Sequence, residues 1–305
     1  MAVSGSQEPV RLAVVNNAVL PAISRQGNRL AFEQAIPADF NRWRINLADP
    51  AQPASAIIAS TRLDQSPQYS PDGRKIAFSS ERSGPSAVWV CDADGGNAAQ
   101  LTTTGTSGSP VWSPDGQRIA FDGIVDGQWQ VFTVSARGGK PQQLTFVRGA
   151  HTRPFWSRDG PWIFTSGGAS IWKIPAGGGH IVPLVHTDGA NSNPVESADG
   201  KTVYYLARGT IRKVGTDGSG DGEAIDGPAS PVSLTPTRDG IYYVAPLPNR
   251  SIQFFSFATG HSRLIRKLDR PAGLGLSLSP DRQWLLYVQR DTEATGDLML
   301  VDPFR

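Results

Sequence analysis

The chain has 305 residues, of which 39% are hydrophobic, and this supply of apolar side chains suffices for a sizeable core and excludes wholesale disorder. The 33 glycines and 24 prolines argue against long helices, because both residues are costly inside a helix. The net charge of +2, without a run of Lys or Arg, excludes the concentrated basic surface of a nucleic-acid-binding protein, and a single cysteine, Cys91, excludes an intrachain disulfide.

The N-terminal residues 1–9 are small and polar, and they lack the basic start and apolar core of a signal peptide. The longest apolar stretches have the length of strands, far below the ~20 residues of a membrane-spanning helix. We therefore expect either a cytoplasmic protein or a chain that begins after a leader or an anchor has been removed.

Along the chain, the first repeated feature is a four-residue turn signature, Ser-Pro-Asp-Gly or a variant of it. It occurs at 24–27, 70–73, 113–116, 157–160, 197–200, 237–240 and 279–282. A period of about 42 residues is typical of a propeller or a solenoid. Asp-Gly between two strands indicates a hairpin turn, because both residues tolerate a positive φ. We interpret the aspartates as turn residues, one in each repeat, and not as catalytic or metal-binding groups.

Each repeat continues with the same order of elements. A short apolar run such as 76–78 follows the turn, and an alternating run such as 88–90 comes next; a Gly-rich turn such as 94–96 and a last short run such as 100–102 complete the repeat. The β-branched and aromatic residues of these runs favour strands. Four short antiparallel strands per repeat are the blade of a β-propeller, and no sustained helical spacing competes with this interpretation.

The last repeat supplies only three strands, and residues 10–15 have the pattern of the missing fourth. Sharing one blade between the two ends closes the ring and removes exposed strand edges. We therefore predict a single domain, residues 1–305, with an all-β fold: a seven-bladed β-propeller with four antiparallel strands per blade, the last blade closed by the N-terminal strand. The predicted blades span about 17–60, 61–103, 104–146, 147–186, 187–226, 227–268 and 269–305 with 9–16.

A family resemblance lies in the third repeat. Residues 110–116, Pro-Val-Trp-Ser-Pro-Asp-Gly, followed by Ile-Ala-Phe at 119–121, are similar to the repeat of TolB-like β-propellers, which are relatives of tryptophan-aspartate (WD40-like) repeats. The resemblance covers nearly the whole chain and is strongest in the second and third repeats. Residues 66–102 and the ending 298–305 resemble, more narrowly, the C-terminal propellers of bacterial, notably acidobacterial, CadC-like transmembrane regulators and of some receptor-type kinases.

The resemblance implies binding: a sensory or scaffolding domain of a bacterial envelope regulator. In such regulators a DNA-binding or kinase domain and a membrane span precede a periplasmic propeller, and we expect neither module within these residues. We expect a protein or peptide partner, or a small ligand at the channel mouth, and no nucleic acid bound by this domain. We also expect no cofactor, a monomer, and a membrane reached only through an upstream segment. The compartment is then the periplasm, and otherwise the cytoplasm.

The loops before each proline are predicted at the channel mouth, on the face opposite the Asp-Gly and Gly-rich turns. These loops are longer and more varied than the turns, as recognition loops tend to be. Arg148, His151 and Arg153 form the densest cationic cluster, which suits a carboxylate or an acidic protein segment; the alternative is solvated loop charge. The predicted binding residues are Arg62, Asp64, Arg148, His151, Arg153, Asn191 and Asn193.

Residues 217–222 resemble the start of a calcium loop. Asp217, Ser219 and Asp221 would supply oxygen ligands at alternate positions, and Asp226 could add another. The late bidentate Glu of such loops is absent, and the segment falls where other repeats carry their Gly-rich turn. An ordinary turn is therefore the favoured alternative.

Signatures of catalysis are absent from the sequence. There is no Gly-x-Ser-x-Gly elbow, and the four histidines lack the spacings of zinc sites. Cys91 lies in an apolar run, as a core residue does. We predict a non-enzymatic ligand- or protein-binding propeller without catalytic residues. The alternative is a propeller enzyme, a lyase or hydrolase, with a metal or polar site at the channel mouth.

Overall fold

A computed structural model describes residues 18–27, 29–36, 39–58, 60, 62–103, 105–186, 191–207, 209–228, 233–245, 250–292 and 295–301. These residues form 27 strands. Within the described ranges, no helix has the length and apolar character needed to cross a membrane. The chain divides into two compact units, a large one, Asp39–Asp291, and a small one that joins Met1–Ala38 with Thr292–Arg305.

The strands are short, mostly five to eight residues. In the first half of the chain they are β1 (Ala18–Ile23), β2 (Leu30–Ile36), β3 (Phe40–Asn46), β4 (Ser55–Ile58), β5 (Asp64–Tyr69), β6 (Lys75–Ser80), β7 (Ala87–Asp92), β8 (Ala99–Gln100), β9 (Ser107–Trp112), β10 (Arg118–Val125), β11 (Gln128–Ser135), β12 (Gln142–Gln143), β13 (Thr152–Trp156) and β14 (Trp162–Gly167). In the second half they are β15 (Ser170–Pro175), β16 (Val182–His186), β17 (Asn191–Glu196), β18 (Thr202–Ala207), β19 (Thr210–Gly215), β20 (Gly222–Pro228), β21 (Leu234–Pro236), β22 (Gly240–Ala245), β23 (Ser251–Ser256), β24 (Ser262–Lys267), β25 (Ala272–Leu278), β26 (Trp284–Arg290) and β27 (Thr295–Val301).

The described strands make seven antiparallel sheets, as many as the sequence has repeats. Five sheets use four consecutive strands each: β5–β8, β9–β12, β13–β16, β17–β20 and β21–β24. The sixth has the order β25-β26-β3-β4, and the seventh is three-stranded, with the order β1-β2-β27. The prediction of an all-β fold built from four-stranded antiparallel sheets is confirmed in the large unit.

The Asp-Gly turns are held by a serine two residues before the aspartate. In the turn between β5 and β6, the Ser70 hydroxyl donates to Asp72 (2.6 Å) and accepts from the Lys75 N–H (2.9 Å), while Gly73 takes a φ of 72°. The same serine-to-aspartate bond recurs at Ser113, Ser197 and Ser279. These aspartates are therefore turn residues, as their recurrence predicted.

The Gly-rich turns lie beside the Asp-Gly turns at one end of each sheet. The Ala93 N–H, at the start of one Gly-rich turn, donates to the carbonyl of Arg74, which follows the Asp-Gly turn of the same sheet (2.9 Å). Equivalent bonds join Ala136 to Gln117, Ala176 to Pro161, and Thr216 to Lys201. This end of the large unit is called the turn end below.

The six sheets of the large unit close on one another. Their first strands contact each other in the order β5, β9, β13, β17, β21 and β25, and β25 contacts β5 again. Apolar side chains fill the spaces between neighbouring sheets; for example, Ala77 and Val88 of one sheet share a core cluster with Ile119 of the next. The burial of these side chains holds the sheets against each other.

The pairing of the chain ends differs from the predicted one. β26 pairs with β3, through partners such as Leu285 and Ile45, whereas β27 pairs with β2, through partners such as Met299 and Phe32. β3 is the third strand of the first repeat, and β27 is the third strand of the last repeat. The spacing of the repeats therefore does not decide whether β3 pairs with β2 or with β26, or which of the two β27 joins. The predicted closing strand, within 9–16, lies outside the described residues.

Candidate functional site

The first strands of the six sheets surround a cavity of about 220 Å³ on the axis of the large unit. Five of these strands lose their regular register at one point, and the residue there has a positive φ. A bulge of this kind bends the strand and re-aims a side chain. The five residues all line the cavity and are called the bulge ring: Ser66 (φ 51°), Ser109 (46°), Arg153 (53°), Asn193 (59°) and Gly275 (121°).

Arg153 brings a guanidinium to the bulge ring. Its backbone N–H donates to Oδ2 of Asp122 (2.8 Å), whose side chain is buried between the sheets. Burial raises the pKa of Asp122, and desolvation lowers the pKa of Arg153, because both charged forms lose contact with water. With two serines and Asn193 beside it, Arg153 makes this end of the channel suited to hydrogen-bonding a polar group.

A second, wider cavity of about 480 Å³ adjoins the first at the turn end, and we call it the turn basin. The two cavities share Gln68, Phe155 and Arg158 among their lining residues, so they form one channel. The second residue of each Asp-Gly turn contributes to the wall of the turn basin. These six residues are Pro71, Pro114, Arg158, Ala198, Arg238 and Pro280.

The walls of the turn basin combine arginines with aromatic rings. Arg158, Arg238 and Arg282 line it and are exposed, while Trp112 and Trp156 are buried beneath. The Trp112 ring is fixed, because its indole N–H donates to the carbonyl of Gln68 (3.2 Å). Fixed aromatic walls with a few cationic groups are typical of binding sites.

Glu196 lies where the two parts of the channel meet. The residue is 3% exposed, and its carboxylate accepts a hydrogen bond from the backbone N–H of Arg158 (2.6 Å). Desolvation raises the pKa of Glu196 despite this bond. The Arg158 guanidinium donates through Nε to the carbonyl of Ser197 (2.7 Å), so backbone groups fix both side chains.

The predicted binding residues are scattered rather than gathered at one mouth. Arg153 and Asn193 line the cavity, as expected for channel residues. Arg62 and Arg148 are exposed, and neither lines a described cavity. Asn191 begins β17.

Asp64 was predicted as a binding residue of a channel-mouth loop, but it begins β5 and is fully buried. Its carboxylate accepts bonds from the Ser60 hydroxyl (2.9 Å) and from Arg82 (3.2 Å), and it lies 3.3 Å from a guanidinium nitrogen of Arg42. Arg42 comes from β3, the strand exchanged between the chain ends. Asp64 therefore joins two sheets of the ring and is closed to a ligand.

His151 is also buried, with 3% of its surface exposed. Its ring meets that of Trp172 edge-on, with 5.7 Å between centroids, and it packs against Gly167, where an added Cβ would lie 3.0 Å from Nδ1. Desolvation lowers the pKa of His151, which favours the neutral ring. The cationic cluster predicted from Arg148, His151 and Arg153 is therefore not a cluster in space.

The calcium candidates have other partners. Asp217 accepts bonds from the N–H and the hydroxyl of Ser219, as a turn aspartate does. Asp221 pairs with Arg212 (2.9 Å) and accepts from the Tyr205 hydroxyl (2.6 Å). Across the described ranges no three His, Cys, Asp or Glu side chains are arranged to hold a metal ion. Cys91 is buried, which raises its pKa to about 11 and makes it a core residue.

Sequence reasoning missed the arginines of the turn basin, although the sequence carries a signal for them. Arg158 and Arg238 replace the proline of the Ser-Pro-Asp-Gly signature, and Arg282 replaces its glycine. In the sequence, these substitutions resemble ordinary divergence from the Ser-Pro-Asp-Gly signature. In the structure they are the positions that put charge on the channel wall.

Comparisons with known proteins agree with this fold. A family model described as the TolB beta propeller domain matches residues 102–224. The putative TolB from Agrobacterium tumefaciens is similar in structure, with a TM-score of 0.71 at 20% identity, over 84% of this chain and 100% of that one. Searched against curated proteins, the sequence gives no significant match.

Two further solved structures share the architecture at low identity. A chain from a nidogen/laminin complex has a TM-score of 0.63 at 9% identity, over 78% of this chain and 97% of that one. The oligogalacturonate lyase of Vibrio parahaemolyticus has a TM-score of 0.54 at 14% identity, over 93% of this chain and 85% of that one. At these identities the likeness concerns the fold, which hosts both binding proteins and enzymes.

Proposed function

We propose that this chain is a non-enzymatic propeller that binds a protein, a peptide or a small ligand on the axis of its six-sheet ring. One observation carries the proposal: a channel lined by the first strands of all six sheets, polar at the bulge ring and wider at the turn end. Concave sites with fixed walls and a few polar groups are where proteins hold ligands. The similarity to a chain from a nidogen/laminin complex supports a protein partner.

The biological setting is part of the proposal. We infer a sensory or scaffolding domain of a bacterial envelope regulator, placed in the periplasm and acting as a monomer without nucleic acid. The support is the resemblance of the repeats to TolB-type and CadC-like propellers, together with the similarity to the putative TolB of Agrobacterium tumefaciens.

The second candidate function is a propeller enzyme. The observation that favours it is the structural similarity to the oligogalacturonate lyase. Glu196, whose pKa burial raises, and Arg158 stand together in the channel, and such a pair could serve acid-base chemistry.

We also propose that the sheet β1-β2-β27 has a fourth strand. We infer that residues 10–15 pair with the outer edge of β27 and give this sheet, the seventh of the chain, its fourth strand. The support is the alternating pattern of these residues and the energetic liability of an open strand edge.

Site-directed photo-cross-linking tests the binding function. In one variant a photoreactive phenylalanine analogue replaces Phe155, which lines both cavities of the channel. The matched control carries the analogue at Phe257, which is 42% exposed and lines no described cavity. After incubation with a bacterial envelope extract, we expect a discrete adduct from position 155 only. Equal adducts from both positions, or none, would contradict channel binding. Release of unsaturated products from oligogalacturonate by the wild-type protein would support the enzyme instead.

A further inference from the structure

The turn basin combines cationic and aromatic side chains, and the proposed function does not say which kind of ligand they would bind. We propose that it binds an acidic segment of a partner protein, with carboxylates on Arg158, Arg238 and Arg282 and apolar side chains on the aromatic floor. This inference rests on the proposed function and narrows it to one end of the channel and one class of partner.

The cationic groups occupy one continuous part of the rim. Arg158, Arg238 and Arg282 belong to the turns of the sheets β13–β16, β21–β24 and β25-β26-β3-β4, with only Ala198 between the first two. The turns of the two remaining sheets contribute Pro71 and Pro114, and Pro280 shares its turn with Arg282. A guanidinium offers a planar fork of donors that matches a carboxylate, so arginine suits this task better than lysine.

Within the described ranges, only Arg282 of these three pairs its guanidinium with a carboxylate, and Glu196 accepts from the backbone N–H of Arg158 rather than from its guanidinium. Among the described residues that line the turn basin there is no Asp or Glu. Four of the turn aspartates, Asp72, Asp115, Asp199 and Asp281, accept from their own serine and from a backbone N–H two residues on. Asp239 pairs with Arg282 at 3.0 Å, but this pair is more than half exposed and stabilises little.

The floor of the turn basin suits apolar side chains that alternate with acidic ones. Trp112 and Trp156 are buried, and Phe155 lies between the two parts of the channel. The guanidinium of Arg118 stacks on Trp156 at 4.7 Å and holds that ring in place. A volume of about 480 Å³ accommodates a few side chains, so an extended segment fits better than a folded domain.

Fluorescence anisotropy with synthetic peptides tests the inference. The probe alternates tryptophan and glutamate, and two matched peptides carry glutamine or lysine instead of glutamate. We expect the acidic peptide to bind at least about tenfold more tightly than the glutamine peptide, with an affinity that falls as salt rises. Arg158→Ala, Arg238→Ala and Arg282→Ala should each weaken binding by about two- to fivefold. Arg74→Ala, on a turn of the same face but outside the turn basin, should leave it unchanged.

A charge reversal keeps the test decisive if truncation disturbs a turn. Arg238→Glu should reduce binding of the acidic peptide and increase binding of the lysine peptide. Equal affinity for the three peptides would overturn the inference, and so would an effect of Arg74→Ala as large as that of Arg238→Ala. Tighter binding of a short oligothymidylate than of the acidic peptide would also overturn it. If cross-linking is specific to position 155 but the three peptides bind with equal affinity, the inference of an acidic partner is wrong and the proposed binding function is still supported.

Discussion

Asp64 is a single carboxylate shared by two guanidiniums. Arg42 is fully buried and lies face-on over Phe78, with 3.6 Å from its central carbon to the ring centre. Arg82 approaches the same ring and also donates to Asp64. Desolvation lowers the pKa of Arg42 to about 10, and Asp64 opposes that shift. The carboxylate therefore makes the burial of Arg42 tolerable.

Removing this charge should destabilise the protein strongly. We expect Asp64→Asn to lower the free energy of unfolding by about 3–5 kcal/mol, because it leaves a buried guanidinium without its counter-charge. Urea denaturation of both proteins measures the difference. Arg62→Ala, two residues away at an exposed position, should stay within about 0.5 kcal/mol of wild type. A similar loss in both variants would show that the buried ion pair is not the cause.

His151 should make stability depend on pH. Its pKa in the folded protein lies below the ordinary value of 6.5, so the unfolded chain takes up the proton first as pH falls. The contribution of His151 to the free energy of unfolding is therefore fully present above pH 6.5 and declines as the pH falls below 6.5. Burial of the ring is the cause of this lowered pKa.

We expect His151→Gln to flatten the decline of melting temperature between about pH 7 and pH 5. Thermal unfolding followed by circular dichroism across this range provides the measurement. His261→Gln serves as the control, because His261 is exposed and its replacement should leave the wild-type slope intact. An unchanged slope in His151→Gln would refute the assignment.

At the scale of elements, the close approach of β25 to β5 depends on a glycine. A Cβ added to Gly275 would lie 2.5 Å from Cδ of Pro67 and 2.8 Å from Cα of Ser66. Its φ of 121° is also unfavourable for other residues. Gly275 therefore permits two first strands of the ring to touch.

Gly275→Ala should destabilise the protein more than the backbone angle alone explains. Gly139 is a matched control, because its φ is 119° and an added Cβ would meet no atom within 4 Å. We expect Gly139→Ala to cost about 1 kcal/mol, and Gly275→Ala about 1–3 kcal/mol more, in chemical denaturation. Equal costs would mean that the contact with β5 relaxes without penalty.

The positions of the strands could be predicted from the sequence better than the pairing between strands. The Asp-Gly signature and the alternating runs located the strands, because turn chemistry and side-chain alternation are local properties. The exchange of β3 and β27 was not predictable, since the two strands hold equivalent places in their repeats. The bulge ring was not predicted either: Ser66, Ser109, Arg153 and Asn193 each precede a proline, but that proline indicates an extended residue before it and not a positive φ.

The candidate site was predicted in part for a related reason. Arg153 and Asn193 precede prolines on first strands, and position in the repeat was enough to place them at the channel. Burial of Asp64 and His151 depends on partners far along the chain or in other strands, such as Arg42 and Trp172, which spacing does not reveal. Arg158 and Arg238 needed the geometry of the ring, which brings the second residue of every turn to one wall.

For the whole molecule, the N-terminal residues are predicted to support the small unit. If residues 10–15 form the fourth strand beside β27, deleting residues 1–16 exposes that edge of the sheet β1-β2-β27. We expect faster hydrogen exchange of the β27 amides and a lower melting temperature. Deleting only residues 1–8 keeps the strand and should change neither. Identical exchange of β27 in the two deletions would contradict the pairing.

The join between β26 and β3 also bears on how such chains diversify. The sheet β25-β26-β3-β4 combines strands of the last repeat with strands of the first, whereas the five sheets between them each use one repeat. We expect that gain or loss of one internal repeat would change the number of sheets in the ring while β26 and β3 still paired.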